Sequence, residues 1–307
     1  MTKTIYTATE KRVFGKTILA VFLLYASAAS SYAQTDSNQQ EFPPPAAATP
    51  AYLYWTNSSN GSIGRATTAG ADPTEKFVEF KPVGGGGLTV NGSYIYWTTA
   101  NGGSATNIGR AKINSTDVDP NFITGAHNPC GVAVSSSDIY WAGDVGSSIG
   151  RAKLDGKDVD QNFITTGGGV CGVAVTGSYI YWANYETGEI GRAKLDGKDV
   201  DNDFINASSG SGIAIQGNYI YFTAGGGTAI GRANLNGTDA DPNFITGLKG
   251  EIAFLAADSK YIFWADWGDR GSGTTIGRAN LNGTDVNQDF IKGTKGGFGI
   301  AVTGGNP

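Results

Sequence analysis

One tetrapeptide, IGRA, occurs six times without variation, with its arginines at Arg65, Arg110, Arg151, Arg192, Arg232 and Arg278. The interval is about 40 residues, and self-similarity at that period restricts a chain to stacked or circular arrays of one supersecondary unit. Other features travel with it. An aromatic pair precedes each copy, as Tyr54-Trp55, Tyr96-Trp97, Tyr140-Trp141, Tyr181-Trp182, Tyr221-Phe222 and Phe263-Trp264. A small-residue segment precedes the pair as GLTV (87–90), GVAV (131–134), GVAV (172–175), GIAI (212–215) and the poorer FLAA (254–257).

Each copy reads as four short strands. GVAV is one; SYIYW alternates and carries the aromatic and β-branched residues that strands prefer. IGRAKL is a third, and DVDQNFI ends in a fourth. Asp155-Gly156, Asp196-Gly197, Asn236-Gly237 and Asn282-Gly283 stand between the third and fourth, where a tight hairpin needs positive φ. Beyond the leader no segment shows helical periodicity. The fold class expected is all-β, a six-bladed β-propeller of four-stranded antiparallel blades. The first copy, AYLYW (51–55), lacks a GVAV segment before it, and the chain ends in an unpaired GIAV (299–302). Joining the two would make the N- and C-terminal strands share one blade and leave no open edge.

The pair Tyr54-Trp55 with Thr56 and Asn57, then I-x-R-A, the Asp-Gly turn and G-x-A-V, resembles the YWTD repeat, the class B repeat of low-density lipoprotein receptors. The resemblance spans residues 51–302 and implies a six-bladed propeller. The motif's Asp is replaced by Asn57, Thr99, Gly143, Asn184 and Ala224, and only Asp266 keeps it. The growth-factor-like modules that flank the receptor propellers are missing from the chain, so the resemblance implies the fold rather than receptor biology.

Residues 1–33 read as a signal peptide: Lys3, Lys11, Arg12 and Lys16, then the apolar TILAVFLLYASAA, then Ser31 and Ala33 at a small-x-small site. The apolar run is short for a membrane span of about 20 residues. Residues 34–50 form a Pro/Ala-rich linker, and residues 51–307 the propeller. Removing the leader's four basic residues and Glu10 takes the formal charge from −5 to about −8. A mildly acidic surface with no Lys/Arg cluster argues against nucleic acid. The expectation is a monomeric, extracytoplasmic protein, secreted or periplasmic, with no stable membrane insertion.

A feature present in all six copies serves the fold. The six arginines are expected to hold structural hydrogen bonds or ion pairs, and the aromatic pairs to pack between blades. The acidic turns, such as Asp155, Asp158 and Asp160, lack the oxygen spacing of a calcium loop and read as turn chemistry. With GVAV innermost, the loops after NFI and after YW share one rim (the loop rim), and the GVAV-to-YW and Asp-Gly turns share the other (the turn rim). The copies differ on the loop rim, where function is expected. Its singular residues are His127, Asp144, Tyr185, Glu186, Lys249, Glu251, Asp266, Trp267, Asp269 and Arg270; ADWGDRGSG (265–273) is the most distinctive loop.

His127 is the only histidine, so neither a Ser-His-Asp arrangement nor a zinc site is assigned. No catalytic residue, cofactor or metal is assigned. Cys130 and Cys171 sit at the same place in consecutive copies. A bond needs Cα atoms roughly 4.4–6.8 Å apart, and the readings left open are a disulfide and two buried thiols at the channel mouth. The expected function is a non-enzymatic binding module for a protein or glycan. The alternative is a propeller lyase or lactonase with a divalent metal at the channel, which should bring three or more oxygen or nitrogen ligands together there.

Overall fold

A computed structural model of the protein describes residues 50–81, 84–99, 106–143, 147–268 and 272–303, the side chain of Ser209 excepted. The leader and the linker up to residue 49 lie outside the described residues.

Six four-stranded antiparallel sheets make a six-bladed β-propeller. The innermost strands are Leu88–Val90, Pro129–Val134, Val170–Val175, Ser209–Gln216, Ile252–Ala257 and Gly297–Val302, in blades 2, 3, 4, 5, 6 and 1. In each blade the aromatic strand comes next, then IGRA, then the NFI strand outermost. Blade 1 is closed from both chain ends. Gly297–Val302 pairs with Tyr52–Asn57 in the register Leu53↔Val302, Tyr54↔Ala301 and Trp55↔Ile300. It also touches the inner strands of blades 6 and 2, so the ring has no gap.

The repeated residues assemble the blades. Trp55 lies opposite Gly64 in register, and its indole covers that glycine so closely that a Cβ there would fall inside the ring. Gly109, Gly150, Gly191, Gly231 and Gly277 lie under Trp97, Trp141, Trp182, Phe222 and Trp264 in the same way. The glycine of IGRA is therefore the floor for the aromatic above it. The aromatics reach both neighbours: Tyr54 of blade 1 packs with Leu88 and Trp97 of blade 2, and Trp55 packs with Ala253 and Ile276 of blade 6. These side chains are essentially inaccessible. In blades 1 and 2 the Thr after the pair bridges to the next blade: Thr56 Oγ1 accepts from Gly299 N and donates to Gly86 O (2.8 and 3.0 Å).

The arginines meet the expectation of structural hydrogen bonds in part and not that of ion pairs. Among the described residues none forms an ion pair with a carboxylate. Each guanidinium is instead laid against rings of its own blade. Arg65 lies 4.4 Å from the Tyr52 centroid and 3.9 Å from Phe77; Arg192 lies 4.6 Å from Tyr179 and 3.8 Å from Phe204. A planar cation suits two ring faces while its edge stays polar. Hydrogen bonds to the next blade are also present, from Arg110 Nη1 to Leu154 O (3.2 Å) and from Arg278 Nη1 to Thr68 O (3.4 Å). Blade 3 replaces the tyrosine with Asp138, which bonds Lys153 Nζ at 2.9 Å. Burial pushes that carboxyl up, but Ser137, Lys153 and Arg151 outweigh it and leave its pKa lowered.

The acidic turns do turn chemistry. Asp155, Asp196, Asn236 and Asn282 each accept the N–H two residues on at 3.1 Å, and Gly156, at φ 83°, completes one of the bends.

Candidate functional site at the loop rim

The inner strands crowd together at the level of their first glycines. A Cβ on Gly87, Gly131, Gly172, Gly212 or Gly299 would collide with the backbone of the next blade's inner strand. Hydrogen bonds span this level, from Gly87 N to Cys130 O (2.7 Å) and from Thr98 Oγ1 to the same carbonyl (2.7 Å). Five blades carry glycine there and the sixth carries Phe254. Its ring crosses the axis: a methyl on Gly131, in the opposite blade, would lie 3.3 Å from Phe254 Cε1. The FLAA segment is thus the copy that fills the neck its five counterparts leave open.

The plug is wider than one ring. Phe298 packs at a tilt against Phe254 with centroids 5.2 Å apart, and Trp267 meets Phe298 edge-on at 5.6 Å. Cys130 and Cys171 belong to the same apolar cluster. They are joined as a disulfide with Cα atoms 4.9 Å apart, inside the permitted range because the glycines beside them bring adjacent inner strands so close.

The singular rim residues fall into separate places. Trp267 is half-buried on the plug, and its backbone N–H donates to Glu251 O at 2.8 Å. Asp266 serves its own loop, accepting from Gly268 N at 2.8 Å and Thr275 Oγ1 at 3.4 Å. Burial raises its pKa, these donors oppose the rise and Asp289 adds to it. Tyr185 and Glu186 are exposed and fold over Gly169, whose N–H donates to Glu186 Oε2 at 2.9 Å. Lys249 and His127 are exposed, and Lys249 N donates to Gln288 Oε1. Asp144, Asp269 and Arg270 lie outside the described residues. Among the described residues no group of three or more His, Cys, Asp or Glu side chains could hold a metal ion. Phe254 and Phe298 were not singled out by sequence reasoning; for Phe254 the signal was a Phe where the other copies have Gly, while Phe298 stands at the place of Cys130 and Cys171.

The channel is open at the other end. A cavity of about 680 Å³ faces the turn rim, walled by Val90, Val134, Val175, Ile215, Ala257 and Val302, one from each blade. No Asp, Glu, Lys, Arg or His side chain lines it. Among the described residues no helix is long and apolar enough to cross a membrane.

No protein-family model matches the chain, and no curated protein matches it. Solved structures do. A chain of the nidogen–laminin complex superposes with a TM-score of 0.66 at 17% identity, over 82% of this chain and 98% of that one. The fold is shared. A streptogramin B lyase superposes with a TM-score of 0.56 at 17% identity, over 81% and 83%. A catalytically inactive virginiamycin B lyase from Staphylococcus aureus, with quinupristin, gives 0.51 at 21%, over 70% and 73%. Identities this low speak to the propeller fold alone, and that fold serves both a protein complex and a lyase.

Proposed function

We propose that the protein is an exported, non-enzymatic binding module that presents its loop rim to a protein partner. The observation that carries this reading is the sealed neck. A lyase or lactonase of the alternative kind needs its ligands over the channel, and there the described residues place Phe254, Phe298 and the disulfide. Beside that plug stands one singular aromatic, Trp267, and elsewhere on the same rim Tyr185 folds over Gly169, each on a loop held in shape by its own hydrogen bonds. Rigid aromatic side chains around an apolar centre are what protein interfaces use as anchors. The likeness to a chain of the nidogen–laminin complex supports the same reading by analogy of fold. Export rests on the leader, and intact-mass measurement of exported protein should show a chain beginning near Gln34.

The test is a partner captured on the wild-type protein by cross-linking and then titrated in solution. Trp267→Ala should weaken its binding at least about thirtyfold, the equivalent of about 2 kcal/mol for an anchor residue, while the protein still melts cooperatively. Substituting Asp158 and Asp199 on the turn rim should leave the affinity unchanged. Sensitivity of the turn rim with a silent Trp267 would place the functional face at the opposite end.

A further inference from the structure

Six seams join the blades on the turn-rim side, and four of them are crossed by a side-chain hydrogen bond to the next blade. In the seam between blades 3 and 4, Tyr140 Oη donates across to Leu195 O at 3.2 Å; between blades 5 and 6, Tyr221 Oη does the same to Leu281 O at 3.2 Å. Arginine makes the crossing between blades 2 and 3 and between blades 6 and 1. Between blades 4 and 5 neither Tyr181 nor Arg192 donates to Leu235 O. A groove of about 750 Å³ lies there instead, lined by Tyr179, Tyr181, Arg192, Tyr219 and three asparagines. The seam between blades 1 and 2 is also uncrossed, but its corresponding position carries Lys112, ion-paired to Asp117 at 2.6 Å.

The groove differs in chemistry from its counterparts, although blade 6 repeats two of its asparagines as Asn280 and Asn282. Where blade 5 has Asn234, blades 2, 3 and 4 have Lys112, Lys153 and Lys194; where it has Asn236, blades 3 and 4 have Asp155 and Asp196. Where it has Asn218, blade 6 has Lys260. Arg192, the only charged side chain in the lining, is clamped between Tyr179 and Phe204. Two of the amides are half-used, which fixes their direction. Asn234 Nδ2 donates to Thr238 Oγ1 and Asp239 Oδ2 (2.8 and 2.7 Å), which leaves its carbonyl to accept. Asn236 Oδ1 accepts from Thr238 (3.1 and 2.9 Å), which leaves its NH₂ to donate. Asn218 is exposed, and Tyr219 beside it is 37% exposed.

We propose that this groove is a binding site for neutral oligosaccharides. A sugar ring offers an apolar C–H face for the Tyr219 ring and a rim of hydroxyls, each both donor and acceptor. Such hydroxyls can accept from Arg192 and Asn236 while donating to Leu235 O and Asn234 Oδ1, the crossing that direct bonds make in four of the other seams. Anionic glycans would find a single, already stacked cation on an acidic protein. The site lies on the turn rim and is independent of the loop-rim proposal.

The experiment is a printed array of neutral and anionic oligosaccharides probed with the whole chain, followed by titration of the best neutral binder in solution. Saturable binding to a neutral oligosaccharide is expected. Asn218→Lys, which installs the residue blade 6 carries, should weaken it at least tenfold with an unchanged melting temperature. Tyr219→Phe should retain binding and Tyr219→Ala should lose it. Ser93→Lys in blade 2 and Trp267→Ala on the loop rim should leave it intact. Absence of neutral glycan binding, binding to anionic glycans only, or affinity indifferent to Asn218→Lys would each overturn the proposal.

Discussion

The two ends of the central channel are made by the same six strands, yet one end is shut and the other open. At the loop end five glycines let neighbouring backbones approach until no Cβ fits between them, and Phe254 with its apolar companions fills the remaining axis. Three residues further along each strand, the valines, isoleucine and alanine wall a cavity instead. The contrast shows that channel width here follows how closely the inner backbones approach all round the ring, which glycine permits at one level and larger side chains prevent at the other. It also shows that the end where the loops vary most is the end with least room inside, so its recognition has to be read from the rim outward.

The largest effect should come from removing what both ends share. Deleting residues 297–307 takes away the inner strand of blade 1, exposes the edge of Tyr52–Asn57, and breaks the ring. The loss is on the order of the whole stability of a domain, about 5–15 kcal/mol. Circular dichroism should show no cooperative melt; a truncated protein that melts like the parent would refute ring closure. Next comes a break confined to the neck. Gly131→Val drives side-chain atoms into the Cys171 carbonyl and the Phe254 ring and should cost about 3 kcal/mol or more in urea unfolding. Gly92→Val on the turn rim, with open space around it, should change little.

Phe254→Ala sharpens the comparison by emptying the neck without moving backbone. A fully packed ring lost from such a site costs about 3 kcal/mol, and the channel should then pass small apolar probes from the turn rim to the disulfide. Unchanged stability would mean that the ring is a spectator. The smallest effect is electrostatic. Asp266 has its pKa raised above 3.8 in the fold, so the folded state holds its proton longer than the unfolded chain does. Stability therefore falls as pH rises through that window and stays lower above it. Asp266→Asn keeps an acceptor for Gly268 N and should remove this decline, seen as a flatter profile of urea midpoint against pH.

The order of strands, the six blades, the shared blade at the termini and the rim to which each loop belongs were all legible in the repeat. Periodic sequence imposes periodic backbone, and the missing first strand with its surplus last one states the closure outright. The leader, linker and three rim residues, Asp144, Asp269 and Arg270, remain expectations from sequence. What each repeated residue touches was less accessible. Arginine at a fixed place in six strands announces a structural role, but ion pairs and ring stacking are equally open until Phe77 or Phe204 is brought back from the outermost strand.

What the sequence determined by itself is whatever depends on neighbours along the chain: strand, turn, period and blade count. Tertiary structure alone decided which atoms meet across blades. The 4.9 Å approach of Cys130 to Cys171 depends on how the ring's curvature brings strands 40 residues apart side by side. The reach of Phe254 to Gly131 and the uncrossed seam beside Leu235 depend on it too. Sequence periodicity carries no measure of that curvature, because side-chain volumes summed around a closed ring, rather than any single repeat, set how near its inner edges come.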